Sequence, residues 1–261
     1  MSSPASTYSN PFVGPDPADI RDIPIREHVP VILDAIDSSY FAWKTYFSLL
    51  FRENNLDSVF VVGHDWGALI AWYLCLFRPD RVTALVSISL AFMRNIMART
   101  GPDFVKPTDY FNRTYGPDYY ICRFQEPGVA EARQFAPAQA RRLHRQIMCH
   151  CFSHGVDYFG AEFERTGFTG GINYYRNVDR NCELAAASAD AKVQVPTKYV
   201  VGDGDITYHF EGVKEYIHGG GFKEDVPLLE EVVVLPGAGH FIQQERAQEV
   251  SDHIYDFIAK F

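Results

Sequence analysis

The chain has no uninterrupted run of about 18 apolar residues, so nothing in it reads as a membrane-spanning helix. It has no excess of positive charge. Lys and Arg number 24 against 33 Asp and Glu, a formal net charge of −9. That balance disfavours nucleic acid and anionic membrane surfaces as partners. The opening MSSPASTYSNPF holds neither a basic stretch nor an apolar core, and no arginine precedes Arg21. It therefore does not read as a secretory signal or a transit peptide. Cysteine is sparse. Cys75, Cys122, Cys149, Cys151 and Cys182 are odd in number and scattered, which reads as reduced thiols in a cytoplasmic protein. There is no internal repeat and no low-complexity segment. What is present is globular: 261 residues, 47% hydrophobic and 22% charged. That is enough for one large domain, or a domain with an insertion, around a substantial core.

The most informative stretch is VFVVGHDWG, Val59 to Gly67. Val59 to Val62 are β-branched or aromatic without polar alternation, as in a strand buried on both faces of a parallel sheet. The apolar run ALIAWYLCLF follows the turn and stops at Arg78-Pro79, as a helix would. Strand, sharp turn with flanking glycines, helix is the layout of a nucleophile elbow. Gly63 and Gly67 flank Asp65 at two residues' distance, where a side chain would crowd a strained backbone. The central side chain is a carboxylate rather than a serine hydroxyl.

The rest of the chain reads around this unit. Residues before about 30 form a proline-rich irregular arm, and Pro30 to Leu33 reads either as a short strand or as the start of a helix. Apolar residues from Phe41 to Phe51 fall at helical spacing, predicting an amphipathic helix between Tyr40 and Asn54. Val82 to Leu90 is the next buried strand. Residues 91–189 are rich in Tyr, Phe and Arg, are punctuated by Pro and Gly, and contain no clean parallel-strand run. They read as a mainly helical insertion. The α/β rhythm then returns: strand Lys198 to Gly202, helix Glu211 to His218, strand Val232 to Leu235, and a closing amphipathic helix from Glu245. The predicted class is α/β with a mostly parallel sheet, residues 1–90 and 190–261 forming the core.

Ligands of such sheets bind outside the carboxyl ends of the strands. Three of those ends carry Asp65, Asp205 and His240. Taken singly, Asp205 in GDGD could be a turn-former and His240 a helix cap. Together they follow the order nucleophile, acid, histidine.

With those positions in view, GHDWGALIAWYLCLFRPDRV, DYYICRFQEPG, TGFTGGINYYRNVDRN, VGDGDITY and EYIHGGGFKEDVPLLEEVVVLPGAGHFIQQE closely resemble the soluble epoxide hydrolases of plants, in the α/β-hydrolase superfamily. The resemblance is continuous over about Val59 to Arg81 and Thr166 to Phe261, and patchy between. It implies an α/β-hydrolase fold with a helical cap, no cofactor, and a small hydrophobic epoxide and water as substrates. It implies Asp65 as the nucleophile, His240 as the base for water, and Asp205 as the group that orients His240. It also implies two cap tyrosines on the epoxide oxygen, matched at Tyr120 and Tyr175. Tyr119 and Tyr174 are the adjacent alternatives among 15 tyrosines. A phenol suits the task, since it stays protonated at neutral pH yet can give a proton to an alkoxide. Trp66 is expected at the substrate, its backbone amide serving as an oxyanion donor.

Two departures stand out. The family's His-Gly-aromatic-Pro turn, a second source of oxyanion donors, has no match in residues 1–58. His218 to Gly221 has the look of a lipase oxyanion motif but sits at a helix end, where it reads as a C-cap. The region before Val59 is also short for the usual leading strands, which predicts a tendency to self-associate. The second departure is the insertion: the stretch between Tyr120 and Tyr175 is shorter than the family's and PGVAEARQFAPAQARRLHRQIMCHCFSHGVDYF departs from its sequence, so a trimmed cap is expected. Two other readings share the elbow: a haloalkane dehalogenase, which would need halide donors in place of the tyrosines, and a non-catalytic relative. Cys149-His150-Cys151 with His154 has zinc-type ligands, but adjacent helical residues do not share a face, so no metal site is expected.

Overall fold

The computed structural model describes residues 30–33 (backbone only), 57–93, 105–128 and 167–261. The helix expected between Tyr40 and Asn54 and the Cys149 to His154 cluster lie outside them.

Among the described residues, five strands form one parallel sheet whose spatial order follows the chain: β1 Pro30–Leu33, β2 Val59–His64, β3 Val82–Ile88, β4 Thr197–Gly202 and β5 Leu229–Leu235. Pro30 to Leu33 is therefore a strand, in register with Phe60 to Gly63. Helix α1, Trp66–Phe77, joins β2 to β3. Between β3 and β4 lie α2 Pro107–Tyr115, α3 Tyr120–Arg123, α4 Thr169–Arg176 and α5 Val178–Ala185. Then follow α6 Val213–His218 and α7 Gly221–Asp225 before β5, and α8 Ile242–Glu245 and α9 Ala247–Ile258 after it.

Alternate strand residues feed two cores, as the two-residue period of a strand requires. On one face Val59, Val61, Leu85, Tyr199 and Val201 pack against Trp72 and Cys75 of α1 and Ile217 and Phe222 of α6 and α7. On the other, Phe60, Val62, Val86 and Val200 pack against Ile242, Val250 and Phe257 of α8 and α9. The central strands are thus buried on both sides, which is why they carry β-branched residues without alternation. Strand β5 begins three residues earlier than the sequence pattern suggests. Its first half exposes Glu230 and Glu231, so hydropathy hides it.

Two other boundaries move for stated reasons. Strand β3 stops at Ile88 rather than Leu90, because Ser89 turns to a φ of 73°. Helix α6 starts at Val213, after Gly212 at a φ of 77°. His218 to Gly221 ends α6: the Gly219 amide donates to the Glu215 carbonyl at 2.7 Å, and Gly220 takes a φ of 101°. In the helical segment, the Asp179 carboxylate of α5 accepts from the Thr108 amide (3.0 Å) and hydroxyl (2.6 Å), which satisfies the amino end of α2. No helix of the described residues is long and apolar enough to cross a membrane.

Candidate active site

Asp65 sits at the break between β2 and α1 with φ 51° and ψ −117°. This is a sparsely populated conformation for a residue with a side chain. Its amide donates to the Ile88 carbonyl of β3 at 3.3 Å, and its carbonyl accepts from Leu69 at 3.1 Å inside α1. The turn closes tightly. A Cβ on Gly63 would lie 2.7 Å from the Gly67 carbonyl oxygen and 2.8 Å from the Ala68 Cα. Glycine is therefore required at 63 by close approach to backbone.

Asp205 follows β4 and His240 follows β5, so both reach the same end of the sheet as Asp65. His240 Nδ1 lies 3.0 and 3.1 Å from the two Asp205 carboxylate oxygens, while its Nε2 lies 3.5 Å from Asp65 Oδ1. One imidazole thus spans the two carboxylates. Nδ1 faces the fully buried Asp205 and Nε2 faces the partly exposed Asp65. His240 is not a cap: α8 begins two residues later and its side chain is engaged with Asp205. Burial works to raise the Asp205 carboxyl. The His240 imidazole, the Ser89 hydroxyl and the Thr207 amide outweigh it and hold the group below the usual carboxylate range.

Tyr120 opens α3 and Tyr175 lies near the end of α4. Their rings meet edge to face at 5.5 Å, and both pack on Phe124. Gln125 Nε2 donates to the Tyr175 carbonyl at 3.0 Å and Arg176 Nε to the Phe124 carbonyl at 2.9 Å, which ties the two helices together. Both phenols are pushed above the ordinary tyrosine range, first by burial and then by neighbouring groups that include Asp65. The Tyr175 hydroxyl interacts with the Trp66 indole and with Tyr120. Tyr174 also packs on Trp66, at 5.5 Å, but is buried. Tyr119 stacks on Tyr115 and Phe111 and also lies against Tyr120, with ring centroids 4.7 Å apart. Trp66 starts α1, so its backbone N–H has no acceptor within the helix.

The structure thus brings together Asp65, Asp205, His240, Trp66, Tyr120 and Tyr175, from five separate parts of the chain. It adds residues that sequence reasoning passed over. His64 Nε2 donates to the His240 carbonyl at 3.0 Å, its ring lies 4.8 Å from that of His240, and its Nδ1 meets Gln243 Nε2 at 3.1 Å. Thr207 donates to Asp205 Oδ1 through its amide (2.9 Å), and its hydroxyl lies 3.0 Å from the same oxygen. Ser89 Oγ lies 3.1 Å from His240 Nδ1. The signal available for Ser89 and His64 was their place at strand carboxyl ends. Among the described residues no group of three or more His, Cys, Asp or Glu side chains is arranged to hold a metal.

The Alpha/beta hydrolase family profile matches residues 7–253. The chain is 46% identical to epoxide hydrolase 3 of Siraitia grosvenorii over 235 residues, covering 80% of this chain and 72% of that protein. Identity to epoxide hydrolase 1 of the same plant is 47% over 236 residues, covering 81% and 73%. Among solved structures, potato (Solanum tuberosum) epoxide hydrolase I superposes with a TM-score of 0.76 at 46% identity, covering 83% of this chain and 74% of that one.

Proposed function

This chain belongs to the alpha/beta hydrolase family and, within it, to the epoxide hydrolases, and from that premise we propose that it adds water to a hydrophobic epoxide through a covalent ester on Asp65. The observation that carries the reading is the single imidazole set between a buried and a partly exposed carboxylate, with two partly buried phenols beside the latter.

In the first step a carboxylate oxygen of Asp65 attacks an epoxide carbon. The carbon–oxygen bond of the ring breaks and the leaving oxygen takes a proton from Tyr120 or Tyr175. A carboxylate is already ionised at neutral pH, so this step needs no base. The two phenols share the developing charge as an oxyanion hole would. In the second step His240 Nε2 takes a proton from water, and the hydroxide attacks the ester carbon of Asp65. The Trp66 amide stabilises the oxyanion that forms. The diol leaves as an alkoxide that takes the acid proton of Asp65, and the imidazolium proton returns to the tyrosinate. Epoxide and water are consumed, diol is made, and every group regains its starting state. Helices α2 to α5, within the segment 91–189, act as the cap that brings the phenols over the core. The aromatic cluster of Trp66, Tyr174, Tyr175 and Phe124 next to Asp65 supports an apolar substrate. The described cysteines, Cys75, Cys122 and Cys182, are free thiols, which supports a cytoplasmic location.

Wild-type protein is expected to convert trans-stilbene oxide to its diol, and Asp65→Ala to make none. In rapid-quench experiments the wild type should show a burst of alkylated enzyme before a slower steady state, because deacylation leans on the Trp66 amide. Diol formation by Asp65→Ala at the wild-type rate would sink the proposal.

A further inference from the structure

His64 ends β2, is buried, and immediately precedes the nucleophile. Its ring lies 4.8 Å from the His240 ring, and Phe241 packs against both, at 5.8 and 4.9 Å. Its Nε2 meets the His240 carbonyl at 3.0 Å. Its Nδ1 meets Nε2 of Gln243, the second residue of α8, at 3.1 Å. Gln243 is only three residues beyond His240. The two hydrogen bonds and that short piece of chain therefore close a ring that ties the end of β2 to the main chain of the base.

Proton bookkeeping gives both bonds a direction. The His240 carbonyl can only accept, so His64 Nε2 carries a proton. The Gln243 amide nitrogen can only donate, so His64 Nδ1 presents a bare lone pair. His64 is thus held as the neutral Nε2–H tautomer. The other end of the same amide has no such match: Gln243 Oε1 is buried and accepts no hydrogen bond among the described residues. An orphaned buried acceptor is costly, so the orientation of this amide needs a reason. Turned over, the amide would bring Oε1 to Nδ1, and that nitrogen would then need a proton. His64 would be an imidazolium 4.8 Å from the ring that must itself take a proton during ester hydrolysis. A like charge so close opposes that protonation.

We propose that Gln243 is a positioning residue for the base: its amide donor keeps His64 in the neutral Nε2–H form, and His64 in turn holds the His240 main chain so that the His240 ring stays directed at Asp65. This rests on the epoxide-hydrolase reading above. The effect falls on one step. Alkylation uses Asp65 and the two phenols, whereas hydrolysis of the ester uses His240.

The test reads His64 and the two chemical steps separately. Long-range proton–nitrogen correlation spectra of histidine-labelled wild type, with the His64 signals identified by their loss in His64→Gln, should show a proton on Nε2 and a bare Nδ1 at neutral pH. A proton on Nδ1 overturns the proposal. Single-turnover measurements with trans-stilbene oxide then compare alkylation with ester hydrolysis in wild type, Gln243→Leu and Gln243→Glu. Gln243→Leu removes the donor. Gln243→Glu keeps the shape but offers Nδ1 a carboxylate, which invites a second proton onto His64. In both, hydrolysis should slow by about tenfold to a hundredfold and alkylation by much less. A wild-type hydrolysis rate in folded Gln243→Leu overturns the proposal, and so does equal slowing of the two steps. If that variant does not fold, the same results in Gln243→Glu overturn it instead. Absence of diol formation by the wild type would refute the functional reading itself, a separate outcome on which the histidine spectra do not depend.

Discussion

At Tyr120 and Tyr175 burial and neighbouring charge act in the same direction. Both raise the phenols above the ordinary range, so both stay protonated whenever Asp65 is ionised. In the proposed mechanism their proton is given up only when an alkoxide develops beside them, which confines the transfer to the transition state. Replacing either by phenylalanine leaves the aromatic packing and removes one donor. Alkylation by Tyr120→Phe or Tyr175→Phe should slow by about a hundredfold to a thousandfold, the usual cost of one oxyanion donor. The double variant should be slower still. Tyr119→Phe, whose ring stacks on Phe111 and Tyr115 and lies against Tyr120 at 4.7 Å without packing on Trp66, should change the rate less. Stopped-flow measurement of the alkylation step decides it, and equal losses in Tyr119→Phe and Tyr120→Phe would reverse the assignment.

The β2–turn–α1 element is limited by backbone, not by side chains. At Gly63 an added methyl would meet a carbonyl oxygen, a Cα and an amide nitrogen, all within 2.9 Å and all main chain. No rotamer relieves such a contact, so the elbow or β2 must shift. Gly63→Ala should lose about 1–3 kcal/mol of stability and displace Asp65 from its approach to His240. Gly171 gives the opposite case within α4, because nothing lies within 4 Å of its added Cβ. Gly171→Ala should stabilise the protein by about 0.5–1 kcal/mol through helix propensity. Thermal melts read both, and a Gly63→Ala variant as stable as wild type would contradict the tight turn. The same elements show what hydropathy can and cannot report. Strands β2, β3 and β4 were legible because both faces are buried. The start of β5 was not, because Glu230 and Glu231 face solvent. The end of β3 was not, because the conformation of Ser89 is set by partners more than a hundred residues away, Tyr199 and Thr207.

At the scale of the molecule the site is a convergence of strand ends. That explains why Asp65, Asp205 and His240 were readable from topology, whereas the supporting Ser89, Thr207 and His64 were not. Serine, threonine and histidine at loop starts have many uses, and only the folded distances select one. Convergence also places an ionised carboxylate, Asp205, where water does not reach. Its folded-state pKa is depressed below the usual carboxylate value, so it favours the native state above pH 4 and loses that contribution as the pH falls through the folded value. Each unit of depression is worth about 1.4 kcal/mol. Between pH 4 and pH 2 the histidines are already protonated in the unfolded chain, so this interval isolates carboxylates. Asp205→Asn cannot titrate there. Its melting temperature should fall less between pH 4 and pH 2 than that of the wild type, although it starts lower at neutral pH because His240 loses its partner. Melts followed by circular dichroism at pH 4, 3 and 2 compare the two slopes. Parallel slopes would mean that Asp205 titrates alike in the folded and unfolded chains, contrary to its burial beneath His240, Ser89 and Thr207.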